Sequence, residues 1–342
     1  MRKRLFFIVE ELNSINSASL SAISFTKHLN EEYDVFLYSI QPINNGKVNV
    51  NYSINPRVRI NSLDIPFDDK NRRKYLKDNK NRIIEILSNT SRKGDVYVLF
   101  CDSIVKYISS DCRKILITGF SNVESYDPFD EVIFIAKDEY EEKCATSSEL
   151  RNKSSLITPF PIYERDENFK FHGNRIMCIT RISESNNFEP LFNLAKGLKE
   201  NGMKFSISLC GNGEHFKEVG DRICDLGLDD VINLKEIKDI DQNLIESDLM
   251  FYFSSDDSYP IHLVEAISSS VPIVSFSNNK YSKEILREIG ILAHSSEEVL
   301  EKVLLILKDK IKLAKLKFKT YEYSKMFLKD VTLKQIIKII EG

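Results

Sequence analysis

The chain has 342 residues, 42% of them hydrophobic, and a net charge of −3 with acids and bases nearly balanced. That length accommodates two domains with separate cores, and the charge balance gives no electrostatic reason to expect a nucleic-acid partner. Cysteines without a C-x-x-C pair, and histidines never at zinc-ligand spacing, argue against a disulfide scaffold and against a metal site.

The opening MRKRLFFIVEELNS sets basic residues before the apolar run Leu5–Val9, but Glu10 and Glu11 end that run too soon for a signal peptide. No apolar run reaches membrane-spanning length, so a cytoplasmic protein is expected, with peripheral contact at the inner face of the cell membrane left open. Leu5–Val9 reads as a buried strand. Ala18, Ala22, Phe25 and Leu29 recur at helical spacing after it, and Val35–Tyr38 reads as the next strand. In such a βαβ opening, ligands bind beyond the carboxyl ends of strands. The loop carrying Asn13, Ser14, Asn16 and Ser17 is therefore a candidate ligand loop, although it lacks a G-x-G-x-x-G and reads equally as a turn with a serine N-cap.

Strands are expected at Val58–Leu63, Val96–Phe100, Lys114–Thr118, Val132–Ala136 and Ser155–Pro159, with helices over Asn71–Leu87 and Asp138–Glu149. This alternation predicts a mostly parallel sheet. The bases of the Asn71–Leu87 helix suit an anionic membrane surface or a solvated face diluted by Asp78 and Glu85. Thr158–Phe169, with two prolines and a charge cluster, reads as the interdomain linker.

A second alternation follows, with strands at Arg175–Thr180, Phe205–Cys210 and Val231–Leu234. Arg181 stands at a strand's carboxyl end, where it can meet a phosphate or pair with Glu184. Gly211, Asn212 and Gly213 close the next strand, and the glycines permit a close backbone approach or a plain turn. The stretch DLMFYFSSDDSYPIHLVEAISSSVPIVS, Asp248 to Ser275, reads as strand, loop, helix, strand, with Pro260 at the first helical position. Helix N-termini favour anions, so this loop is a candidate phosphate site framed by Asp257 and Glu265. Further on, Ser295 and Glu298 form a capping box. Lys308, Lys312, Lys315 and Lys319 make a basic stripe beside Ile311, Ala314 and Phe318, suited to acidic lipid, an anionic acceptor, or solvent on a packed helix. Asp330–Ile340 is a last helix.

Four blocks together resemble the C-terminal domain of family 4 retaining glycosyltransferases: ITRISESNNFEPLFNLAKGL, LCGNGEHFKEV, VINLKEIKDIDQNLIESDLMFYFSS, and DDSYPIHLVEAISSSVPIVS, the last carrying the E-x7-E pattern as Asp257 and Glu265. The resemblance implies an α/β GT-B fold of two facing Rossmann-like domains with parallel sheets and an interdomain cleft. The expected domains are 1–160 on the acceptor side, completed by a helix at about 322–342, and 161–321 on the nucleotide-sugar side. It implies Arg181 on the donor diphosphate, Glu265 on the ribose and Asp257 at the sugar and reaction centre. Ser258, Tyr259, Pro260 and Ile261 would meet the diphosphate through backbone, with Ile261 the better amide donor, and Lys235, Glu236 and Ile237 would lie near the base. Asn186 replaces the family's lysine, removing a charge-assisted contact worth roughly 1.5–3 kcal/mol.

The implied activity is transfer of a sugar from a nucleotide-diphosphate sugar to a hydroxyl of a glycan, lipid-linked glycan or protein, with retention and without metal or other cofactor. A UDP-sugar is expected ahead of a GDP-sugar. The rivals are a weak or inactive GT-B subunit bound to a partner glycosyltransferase, glycan or second copy, and an epimerase or phosphorylase on the same architecture.

Overall fold

A computed structural model describes residues 2–12, 16–43, 54–67, 71–162, 169–184, 186–236, 240–254, 258–276 and 280–342. The chain forms two compact units, Met1–Phe160 with Lys329–Gly342, and Pro161–Leu328.

The first unit contains β1 (Arg4–Val9), α1 (Ser17–Leu29), β2 (Asp34–Ser39), β3 (Arg59–Ser62), α2 (Arg72–Asp78), α3 (Lys80–Thr90), β4 (Val96–Leu99), β5 (Arg113–Ile117), β6 (Glu131–Phe134), α4 (Lys137–Thr146), α5 (Ser148–Asn152) and β7 (Ser154–Leu156). Its sheet runs β3-β2-β1-β4-β5-β6-β7, every pair parallel. Strands covered on both faces read as continuous apolar runs, which is why Leu5–Val9 is buried throughout. Phe6 stacks between Phe36 and Tyr97, at centroid distances of 4.6 and 4.7 Å.

Two helices expected as single rods are each broken. At Asn79 the side-chain amide and the backbone N–H both turn back to the Tyr75 carbonyl, ending α2 before α3 begins. At Ser147 the hydroxyl accepts from the Leu150 amide at 3.1 Å and starts α5 afresh. Neither residue interrupts the apolar spacing, so periodicity alone joins the pieces.

The second unit contains β8 (Arg175–Ile179), α6 (Glu189–Glu200), β9 (Ser206–Cys210), α7 (Phe216–Asp225), β10 (Ile232–Lys235), α8 (Ile240–Ile245), β11 (Leu249–Tyr252), α9 (Ile261–Ser268), β12 (Ile273–Phe276), α10 (Lys280–Leu286), β13 (Ile291–Ala293), α11 (Ser296–Leu307) and α12 (Lys310–Ser324). Its sheet runs β10-β9-β8-β11-β12-β13, again parallel throughout. Cys178 and Cys210 are buried in these strands, as Cys101 is beyond β4, and burial pushes the Cys101 thiol up to about 12 and the Cys210 thiol to about 11. These thiols are core groups.

At the amino end of β11, Asp248 and Lys317 of α12 form an ion pair of 3.5 Å, both essentially inaccessible. The Asp248 carboxylate also accepts the amides of His172, Asn174 and Arg175, and the Lys317 ammonium donates to the carbonyls of Lys170 at 2.8 Å and Ser247 at 3.2 Å. Burial holds the lysine below its ordinary value, with Asp248 opposing the shift. A buried pair this fully bonded fixes α12 and the 170–175 segment to the sheet.

The chain then returns to the first unit as α13 (Lys329–Glu341). Thr332 donates to the Thr158 carbonyl at 2.6 Å, Tyr33 to Glu341 at 2.7 Å, and Lys3 to the Ile340 carbonyl at 2.8 Å. Arg113 reaches the Ile339 and Ile340 carbonyls too. Cations thus satisfy the carbonyls and the negative dipole end of this last helix.

Candidate functional site

In the second sheet, β8 and β11 are neighbours, yet the chain leaves β8 toward β9 on one side and β11 toward β12 on the other. That reversal is a topological switch point, where the loops at the strand carboxyl ends diverge and leave a crevice. The loop after β8 carries Arg181, and the segment after β11 leads to Ser258 and α9. Two distant stretches of sequence are thereby delivered to one end of one sheet.

Arg181 is exposed and makes no ion pair among the described residues, so the alternative pairing with Glu184 is not formed. Its backbone is held on both sides. The Thr180 amide donates to the Cys210 carbonyl at 3.1 Å, the Ile182 amide to the Asn212 carbonyl at 3.0 Å, and the His215 amide to the Ile182 carbonyl at 3.2 Å. A Cβ at Gly211 would run into the Thr180 carbonyl oxygen and the Ile182 side chain, and one at Gly213 into the Ile182 carbonyl. The close approach that these glycines permit is therefore to the loop carrying Arg181, which they fix as a platform. Asn186, at the place of the family's lysine, donates its amide to the Arg181 carbonyl at 2.5 Å. It braces the loop and contributes no charge.

Ahead of α9, Pro260 is the N-cap instead of the first helical residue, with φ −83° and ψ 81°. The Ile261 amide, expected to face a diphosphate, donates to the Tyr259 carbonyl at 3.0 Å, and the Leu263 amide to Pro260 at 2.9 Å. With Pro260 lacking an N–H, the chain closes a tight turn on itself here, and the Ile261 amide is already engaged. The Tyr259 ring is buried against Tyr281 at 5.6 Å, and burial raises its phenol far above the ordinary value, so only its backbone is available to a ligand. Ser258 is half-buried. Asp257 lies outside the described residues.

Glu265 sits one turn into α9 and is 2% exposed. Its Oε1 accepts the Ile162 amide at 2.6 Å, so the carboxylate anchors the first residues of the second unit. A charge-assisted bond from a backbone amide keeps a buried carboxylate oriented. Lys235 ends β10 and donates to Asn243 at 3.0 Å, and Glu236 beyond it is exposed. Ile237 is not among the described residues.

In the first unit the corresponding switch point lies between β1 and β4. Asn13 and Ser14 fall outside the described residues. Asn16 is the N-cap of α1 and accepts the Ser19 amide at 2.8 Å, so the cap is this asparagine and not a serine, and Ser17 is buried. The polar cluster at this sheet end is instead Glu10, Arg72, Asp102 and Ser103. Arg72 bonds Glu10 and stands 3.9 Å from Asp102, Ser103 donates to Glu10 at 3.0 Å, and the Glu124 amide donates to Asp102 at 2.8 Å. Glu10 and Asp102 each follow an apolar strand, but nothing in the sequence joins them to Arg72.

A hollow of about 440 Å³ adjoins the Arg181 loop, lined by Glu184, Asn186 and Phe188, by His215 just ahead of α7, and by Glu218 and Arg222 of α7. Among the described residues no group of three or more His, Cys, Asp or Glu side chains could hold a metal ion, and no helix is long and apolar enough to cross a membrane.

With this geometry in hand, residues 161–323 match the family described as glycosyl transferases group 1. No curated protein matches the chain in sequence. Among solved structures, a TarM variant of S. aureus in complex with fondaparinux, alpha-GlcNAc-glycerol and UDP is similar at TM-score 0.79 and 10% identity, covering 99% of this chain and 100% of that one. Anabaena HepE in complex with UDP and glucose gives 0.72 and 13%, covering 98% of each chain. WaaG, a glycosyltransferase involved in lipopolysaccharide biosynthesis, gives 0.72 and 11%, covering 99% and 100%. The fold is GT-B, with two Rossmann-like domains, and the second of them carries the group 1 sequence pattern.

Proposed function

We propose that this chain is a retaining glycosyltransferase that moves a hexose from a UDP-sugar to an acceptor hydroxyl on a glycan, lipid-linked glycan or protein. The observation that carries the reading is the meeting of the Arg181 loop and the Ser258–Glu265 segment at one switch point, within the residues that match the group 1 family. TarM and HepE, each solved with UDP, support uridine as the base.

In this reading the Arg181 guanidinium binds the donor diphosphate and stabilises the charge that develops on the leaving UDP. Its platform is already built, so little reorganisation accompanies the reaction. Glu265, oriented by the Ile162 amide, accepts a hydroxyl of the ribose, and Asp257 faces the sugar. Ser258 and the backbone of Tyr259 line the phosphate side, and Lys235 and Glu236 the base side. The acceptor hydroxyl bonds to the anomeric carbon of the sugar as the bond to UDP breaks.

The test is turnover of a panel of UDP-, GDP- and TDP-sugars, with nucleotide binding followed by melting temperature. Arg181→Ala should lower kcat/KM at least about tenfold, as expected for losing a charge-assisted contact. If no nucleotide raises the melting temperature and no sugar nucleotide is consumed, the reading fails. Asn186 in the lysine's place favours a second reading, a GT-B subunit that binds a partner glycosyltransferase or glycan without turning over. It expects that negative result together with co-purification of an active transferase.

A further inference from the structure

The outer face of α12 combines features that neither the site nor the core explains. Leu313, Lys317 and Thr320 are its buried residues, and on the opposite face Ile311 is 70% exposed and Phe318 56% exposed. Lys312, Lys315 and Lys319 share that exposed face, and Lys308 and Lys310 stand exposed at its start. Lys308, Lys310, Lys312 and Lys315 make no ion pair among the described residues. The acids of the helix are committed elsewhere: Asp309 caps α12 by accepting the Ile311 and Lys312 amides, and Glu322 pairs with Lys325 at 2.6 Å. Lys319 donates to the Glu288 carbonyl.

An aromatic edge adjoins this face. Phe169 meets Phe318 at 6.2 Å and Tyr321 at 5.7 Å, and Phe171 on the same segment is 46% exposed. That segment is pinned to α12 from beneath by Lys317, which donates to the Lys170 carbonyl. On α2 and α3 the arginines are paired, Arg73 with Glu124, Arg82 with Asp64 and Arg72 with Glu10.

We infer that the exposed face of α12, with Phe169 and Phe171, docks on an anionic lipid bilayer. The lysines complement anionic headgroups, while Ile311 and Phe318 enter the boundary between headgroups and acyl chains. A soluble polyanion would satisfy the lysines but leave Ile311 and Phe318 in water. Charge and apolar insertion are the two signals that reversible membrane binding needs together. The inference is independent of the donor-site reading.

The test is sedimentation of the full chain with phosphatidylcholine vesicles, with and without a phosphatidylglycerol fraction. Binding should need phosphatidylglycerol, and Lys312→Gln with Lys315→Gln should weaken it roughly 30-fold. Ile311→Ser should weaken it as well. The chain has no tryptophan, so Ile311→Trp supplies a single indole whose emission should shift to the blue on phosphatidylglycerol vesicles. Because these positions are exposed, unchanged melting temperatures verify that the variants fold. No dependence on phosphatidylglycerol, undiminished binding in the variants, or equally tight binding of soluble polyphosphate without a blue shift on vesicles would each overturn it.

Discussion

Glu265 anchors Ile162 and, in the proposed reading, also holds the donor's ribose, two tasks that mutation can separate. Glu265→Ala leaves the buried Ile162 amide without its acceptor, and the loss of folding stability should be about 1–3 kcal/mol by urea denaturation. Glu265→Gln keeps a carbonyl acceptor for Ile162 and removes the charge. It should retain most of the stability while UDP-sugar turnover falls at least about tenfold, consistent with a charged contact worth roughly 1.5–3 kcal/mol. Ser270 is a second informative residue. It adopts φ 59° just past α9, is fully buried, and its hydroxyl has no partner among the described residues. The left-handed backbone at this position favours glycine. Ser270→Gly should raise stability by about 1 kcal/mol, read as a higher urea midpoint. His172 gives the pH dependence. Burial and the Lys317 ammonium hold its ring below the ordinary value of 6.5, with Asp248 opposing. Between the lowered value and 6.5 the unfolded chain binds the proton and the folded chain does not, so stability is lost as pH falls through that window. A series of urea midpoints from about pH 7 to about pH 5 should show this loss, and His172→Gln should flatten it.

At the scale of elements, legibility follows the kind of force involved. Strands buried on both faces stand out as apolar runs, and Leu5–Val9 and Val96–Phe100 fall within a residue of the observed β1 and β4. Helix breaks at Asn79 and Ser147 depend on side-chain to backbone bonds that leave the apolar spacing intact, so they are silent in the pattern. The site was legible in part. Arg181 and Glu265 stand out as candidates because a motif places them, whereas the Glu10–Arg72 bond joins helix and strand ends far apart in sequence, and no local signal announces it. Lys317 was missed for another reason: it hides among exposed lysines of the same helix, and only its angular position distinguishes it. Lys317→Met should cost about 3–5 kcal/mol of stability, because Asp248 is left as an unpaired buried charge. Nucleotide affinity should be untouched if the variant is assayed where it is folded, since the pair lies at the amino end of β11.

For the whole molecule, the parallel order of both sheets explains why the chemistry gathers where it does. All strands of a sheet end on one side, so every loop past a carboxyl end is a potential contributor, and the switch point selects two of them. The group 1 pattern matches residues 161–323, within the second unit, while the first unit shows the alternation of strand and helix. That unit's polar cluster at Glu10, Arg72 and Asp102 therefore has to be read from structure.

The return of α13 to the first unit also governs how the protein is made. The ribosome delivers residues 1–160 early, yet the helix that bonds to Lys3, Tyr33, Arg113 and Thr158 is supplied only by residues 329–342. The second unit, continuous in the chain, can complete its core during synthesis, while the first waits for α13 to emerge. A nascent chain thus holds its earlier-made first unit open until residues 329–342 emerge, and a chain broken just before Lys329 has every segment of the second unit but lacks the helix that closes the first.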